Sequence, residues 1–215
     1  MISVTLVAAI TTGMLFAMRS ALVAYERVDA RLMSNRRVVS VQRILTSELS
    51  GIFPVMGTCA DNSQALVFNG NDQTLHLVTN YSIADGARGR PQILELQVIE
   101  GDHGLRLIAN EFPYTGPAAV GALCSGGVFR PGVATAQSFI LADRLAYCRF
   151  SYQDVDPSTR MGTGWLTAWS KRNLPAAVHV DMAPAAGDAA SLPLASVTAQ
   201  VHVNRDIGVV YYDGQ

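Results

Sequence analysis

Lysine is almost missing from this chain: of its 16 Lys and Arg residues, only Lys171 is a lysine. Net charge is missing too. The formal value of -1 at pH 7 supplies neither a basic field for nucleic acid nor an acidic tail. Charged residues make up only 15% of the 215 positions, against 49% apolar ones, an apolar balance for a soluble domain of this size. Cysteine is sparse. Cys59, Cys124 and Cys148 are too few for a dense disulfide framework, and no two of them lie at metal-ligand spacing.

Catalytic signatures are absent as well. There is no Gly-x-Ser-x-Gly, no His-Glu-x-x-His and no glycine-rich phosphate loop ending in Lys and Ser or Thr. His76, His103, His179 and His202 are scattered over expected strands and one turn, and read as satisfied or exposed strand histidines. Asp154, Asp156 and Ser158 imitate the start of a calcium loop, but its glycine and glutamate places hold Thr159 and Trp165. Trp165 and Trp169 are expected in core or partner-facing packing rather than as a sugar platform. The expectation is no enzyme, no cofactor and no metal.

What is present begins at the N-terminus. Met1 to Met18 carries no charge, and the apolar run resumes at Ala21 after Arg19. Eighteen residues span about 27 Å as a helix, close to the thickness of a bilayer's hydrocarbon. A cleavable secretory signal wants a basic start and a small-residue cleavage site, which this segment does not offer. The sequence therefore predicts an uncleaved membrane helix, with Ile2, Val4, Leu6, Val7, Ile10, Leu15 and Phe16 as its apolar body. Ser3, Thr5, Thr11, Thr12 and Gly13 suit either close helix packing or bonding to their own backbone, and both readings stand.

No proline or glycine interrupts the chain from Arg19 to Ser50. Charges enter at Glu26, Arg27, Asp29 and Arg31. Apolar residues recur at Val28, Leu32, Val38, Val41, Leu45, Leu49 and Ile52, the three-and-four spacing of one helical face. One helix is predicted to about Ser50, stopped by Gly51 and Pro54. Its second half is expected to pack a following domain through Val38, Val41, Leu45, Leu49 and Ile52.

From Phe53 the pattern is that of strands. Leu66–Phe68 and Thr74–Thr79 flank Asn69-Gly70-Asn71-Asp72, a hairpin signal because Asn-Gly accepts positive φ. Leu94, Leu96 and Val98 alternate with Glu95 and Gln97, which predicts a half-buried strand. Gly101-Asp102-His103-Gly104 turns the chain into Leu105–Ile108. Residues 113–132 read as a long irregular loop. Further strands are expected at 139–141, 145–152, 177–182 and 197–203, with a short last one near Val209–Tyr212. The fold class is α+β: a helical segment, 1–52, followed by a mainly antiparallel β domain, 53–215.

This architecture resembles the type IV pilin and pseudopilin superfamily, and within it the J-type minor pseudopilins of type II secretion. The segment Leu145-Ala146-Tyr147-Cys148-Arg149-Phe150-Ser151-Tyr152 is similar to that family's v-x-x-l-x-F-x-Y strand. Trp165 and Trp169 match its W-x-x-x-W, and Leu174-Pro175-Ala176-Ala177-Val178-His179-Val180 its l-P-x-a-V-x-v. Phe68-Asn69-Gly70 through Thr79 resembles its early hairpin.

The resemblance implies a structural subunit: a helix held in the inner membrane before assembly and in the filament core afterwards. It implies a single-pass protein with its C-terminal domain in the periplasm. The implied partners are the I- and K-type minor pseudopilins at the filament tip, with the inner-membrane assembly platform, and no nucleic acid. Family members open with a basic leader, a Gly and Phe-Thr-Leu-Leu-Glu. Met1-Ile2-Ser3-Val4 would continue such a segment, so the true start is expected upstream. A leader there would also correct the charge balance, since Arg19, Arg27 and Arg31 flank only the C-terminal side. The rival expectation is a membrane-tethered periplasmic β domain that binds a ligand or envelope component without a filament. An oxidising compartment predicts one disulfide, Cys124–Cys148 for its short loop, with Cys59–Cys124 as the alternative.

Overall fold

In the computed structural model, Gly51 ends the long helix because only a glycine fits there. Residues 2–59, 64–123, 138–156, 162–171, 173–185 and 196–202 are described, without the side chains of 2–11, 30–31, 34–35, 37, 65, 87–88 and 121–123. Helix α1 runs Ile2–Ser50. Its end closes with Gly51 N–H donating to the Ser47 carbonyl at 2.9 Å. A Cβ on Gly51 would stand 2.8 Å from the Ser47 carbonyl oxygen and 3.0 Å from Asn80 Oδ1. The chain then lies along a neighbouring strand, with Phe53 N–H donating to the Val78 carbonyl and Asn80 N–H to the Gly51 carbonyl.

Among the described residues ten strands follow: β1 (Met56–Thr58), β2 (Gln64–Leu66), β3 (Phe68–Gly70), β4 (Thr74–Ser82), β5 (Ala87–Gly101), β6 (Gly104–Pro113), β7 (Phe139–Val155), β8 (Gly162–Leu166), β9 (Ala177–Pro184) and β10 (Val197–Gln200). The last expected strand, Val209–Tyr212, lies outside the described residues. β1 and β2 pair by themselves. The others form one sheet in the order β10-β9-β7-β6-β5-β4-β3, with β8 added to β7. Every pairing is antiparallel. The body is mainly antiparallel β, as its sequence pattern predicts.

Contacts divide the chain into two units, one built on α1 up to Ser40 and one on Val41–Gly187. In the second, Val41, Leu45, Leu49 and Ile52 are buried in one core cluster with Leu75, Leu77, Leu94 and Leu96 of the sheet. Each such side chain contributes about 1.5–3 kcal/mol on leaving water, so the last turns of α1 are held by packing rather than by helix propensity.

Two expected strands, 139–141 and 145–152, are one. β7 pairs with β6 in its first half and with β9 and β8 in its second. It changes partners at Arg144, whose φ of 56° is left-handed. Asp143 secures that irregularity: one carboxylate oxygen accepts Arg144 N–H at 2.9 Å, and both accept the Arg106 guanidinium at 3.1 Å. The Arg106 bond, chiefly, holds the Asp143 carboxyl below its ordinary range.

The hairpin turn falls later than Asn69-Gly70, which belong to β3. Asn71 takes the turn, because its side-chain oxygen accepts the N–H groups of Gln73 and Thr74 at 2.8 and 2.7 Å. Gly70 serves another purpose. The sheet curls until β3 meets the stretch after β8, with Gly70 and Trp169 exchanging backbone hydrogen bonds of 3.1 and 2.8 Å. The Tyr152 hydroxyl, which donates to the Asn71 carbonyl at 2.9 Å, occupies the space where a Cβ of residue 70 would stand. Gly70→Ala is accordingly expected to cost about 1–3 kcal/mol by overpacking. Denaturant titration checks it, and a change below about 0.5 kcal/mol, the range of an ordinary surface substitution, would contradict the closure.

The other face of the sheet is also covered. β1, β2 and a 3-10 turn at Pro117–Leu123 bring Val55, Val67 and Val120 onto Val78. Glu95 and Gln97, expected to face water on a half-buried strand, are buried as well. Gln97 Nε2 donates to Glu95 Oε1, Asn110 Nδ2 lies 3.5 Å from Glu95 Oε2, and His76 Nε2 lies 3.4 Å from Glu95 Oε1. Ser138 closes the cluster by donating to Asn110 Oδ1 at 2.5 Å. Burial turns an expected outward polar edge into an internal hydrogen-bonded network.

Candidate assembly surface

A helix whose apolar residues point in every direction has no single face to turn away from water. The unit built on α1 is of that kind. Met14, Leu15, Phe16, Met18, Leu22, Tyr25, Val28, Leu32 and Met33 are all exposed, Leu15 by 70% and Phe16 by 76%. Arg19, Glu26, Arg27 and Asp29 are interspersed among them. Such a surface, far larger than the scattered apolar residues of an ordinary monomer, is built to be covered by another molecule or by lipid. Of the residues expected in the membrane or filament core, Leu15 and Phe16 lie on it. The side chains of Ile2, Val4, Leu6, Val7 and Ile10 are outside the described residues. Among the described residues, no helix is long and apolar enough to cross a membrane.

The helix changes character at its second unit. Val38, on the first side of the boundary, is half-buried, while Val41, Leu45, Leu49 and Ile52 are in the core. Glu48 is in that core too, a position the sequence pattern carries but which its apolar spacing passes over. It follows Leu45 by three residues and precedes Ile52 by four, so it must share their face.

The two tryptophans part company. Trp169 is fully buried, its Nε1–H donating to the Asn173 carbonyl at 2.7 Å, with Lys171 over its ring. Trp165 is 47% exposed and leans on His179, whose Nδ1 lies 2.6 Å from Thr198 Oγ1. The calcium-like stretch is engaged otherwise: Asp154 accepts Lys171 Nζ at 2.6 Å and Val155 N–H at 2.9 Å. Among the described residues, no three His, Cys, Asp or Glu side chains cluster as metal ligands.

The expected Cys124–Cys148 disulfide is corrected. Cys148 is a free, buried thiol, on the inward side of β7 opposite Met182, and burial pushes it up to about 12. Cys59 is the disulfide-bonded residue, and Cys124 lies outside the described residues. Strand alternation points position 148 into the core, where its thiol stays free and enclosed despite the short loop to Cys124. Alkylation of the unreduced protein is expected to label Cys148 alone, and only after unfolding. Reduction is expected to cost about 2–4 kcal/mol of stability, the usual worth of a native disulfide. Labelling of Cys148 in the folded state, or three free thiols in denaturant, would contradict this.

The chain thus joins a long helix, with exposed apolar side chains in its first part, to an antiparallel sheet that packs its own core. No family model matches the sequence. Among curated proteins, the chain is 28% identical over 167 residues to type II secretion system protein J of Xanthomonas campestris pv. campestris, covering 77% of this chain and 74% of that protein. The similarity supports a relationship to the J-type minor pseudopilins.

Proposed function

We propose that the protein is a structural minor pseudopilin that takes part in protein secretion through a type II system or a related filament. The observation that carries this reading is the exposed apolar surface of α1, ahead of a β unit that packs its own core. Similarity to a type II secretion protein J supports it independently. In this account α1 sits in the inner membrane before assembly and packs in the filament core afterwards. The protein crosses once, with the β unit in the periplasm, and joins I- and K-type pseudopilins at the filament tip through contacts made on the assembly platform. A disulfide at Cys59 fits an oxidising compartment. The work is packing rather than catalysis.

The test is removal of the gene, with secretion measured alongside recovery of partners by the tagged full-length protein. Lost secretion and copurifying minor pseudopilins are expected. Normal secretion with no such partner would leave a tethered β domain, without a filament, as the better account.

A further inference from the structure

The buried face of α1 carries one group foreign to a core. Glu48 is wholly enclosed between Leu45 and Ile52, and neither of its carboxylate oxygens has a hydrogen-bond partner. Among the described residues, no cation acts on it. On β4, Thr79 places its hydroxyl 3.4 Å from the main-chain carbonyl of Glu48 and donates to it, while its oxygen accepts Tyr81 N–H. On β6, Glu111 holds a second carboxylate whose charge acts on Glu48, its own oxygens already accepting Ile83 and Ala84 N–H at 3.1 Å. Among the described residues, Glu111 is the titratable group that acts on Glu48. The helix adds its negative C-terminal end, which disfavours an anion in the last turn. Burial, the helix end and Glu111 all disfavour its charge, and the Thr79 hydroxyl offsets only part of this.

We propose that Glu48 is a proton-operated latch: as the neutral acid it lets the last turns of α1, from Val41 to Ser50, stay docked on the sheet, and its ionisation loosens that docking. A proton needs no cavity, and a protonated carboxyl can donate where the anion can only accept. The proposal does not depend on the filament reading. Burial pushes the carboxyl from its ordinary 4.5 up to about 8, with Thr79 opposing the shift and Glu111 adding to it. The folded chain thus holds a proton that the unfolded chain has released over that interval. Stability therefore falls as pH rises from about 4.5 to 8, and the contribution levels off above.

Thermal unfolding of the full-length protein in detergent, from pH 5 to 9, tests it against Glu48→Gln, which keeps the shape and cannot ionise. The wild-type midpoint is expected to fall by about 3–5 °C per pH unit relative to the variant, up to pH 8. In Glu111→Gln the fall should end at lower pH, since a repelling charge has gone. If Glu48→Gln does not fold, the Glu48 carboxyl carbon can be followed by NMR in the wild type, where it should titrate near 8. Parallel pH profiles for wild type and Glu48→Gln, or titration near 4.5, would overturn the latch. So would stabilisation of the wild type alone by millimolar calcium at pH 9, which would make a cation the neutralising partner.

Discussion

Leu45→Asp is expected to unfold the β unit outright. Leu45 is fully enclosed in the main core cluster, on the helical face that meets the sheet. Truncating a buried leucine costs about 2–5 kcal/mol through lost burial and the cavity left behind. An unpaired carboxylate at the same place adds several kcal/mol more. It would also sit three residues from Glu48, acid beside acid on one face. The sum is comparable with the whole stability of an ordinary domain, about 5–15 kcal/mol. Loss of the cooperative unfolding transition, or of soluble protein in detergent, is the expected result. Val39→Asp is the control, since Val39 is 59% exposed; it should stay within about 0.5 kcal/mol of wild type. A Leu45→Asp protein that unfolds as cooperatively as the control would contradict the docking of α1 on the sheet.

Leu15→Glu is expected to do the opposite: leave the β unit intact and abolish function. Among the described residues nothing shelters Leu15, which is 70% exposed. In the proposed function its burial comes from lipid or from other subunits. A charge at the centre of a membrane helix costs about 2.5–3.5 kcal/mol on insertion scales, and more where it must enter a packed helix interface. Leu6→Glu follows the same reasoning from the sequence. Unfolding midpoints should match wild type within error, while membrane insertion or filament assembly fails. Normal secretion with Leu15→Glu would mean that this surface is not the one that assembles.

These two substitutions separate what was legible in the sequence from what was not. The helix face Val41, Leu45, Leu49 and Ile52 could be read directly, since a 3.6-residue period needs no tertiary knowledge. The antiparallel body was equally plain from alternation and from the turn at Gly101–Gly104. Partner choice was less accessible. Nothing local says that Arg144 adopts a positive φ and carries β7 from β6 to β9, because the bond that secures it comes from Arg106 on another strand. Gly70 signalled a turn but serves the close approach of Tyr152, far along the chain. Glu95 and Gln97 had the look of an outward edge because alternation reports polarity, not burial. Glu48 was readable by its helical position and was passed over for its charge. The disulfide eluded a loop-length argument that took no account of which way Cys148 points.

Secretion by the organism that encodes this protein, measured after deleting the gene and complementing it with wild type or Leu15→Glu, tests the central claim most directly. The account predicts that deletion abolishes secretion, that wild type restores it, and that the variant fails although its β unit unfolds at the wild-type midpoint. Undiminished secretion in the deletion strain would contradict it.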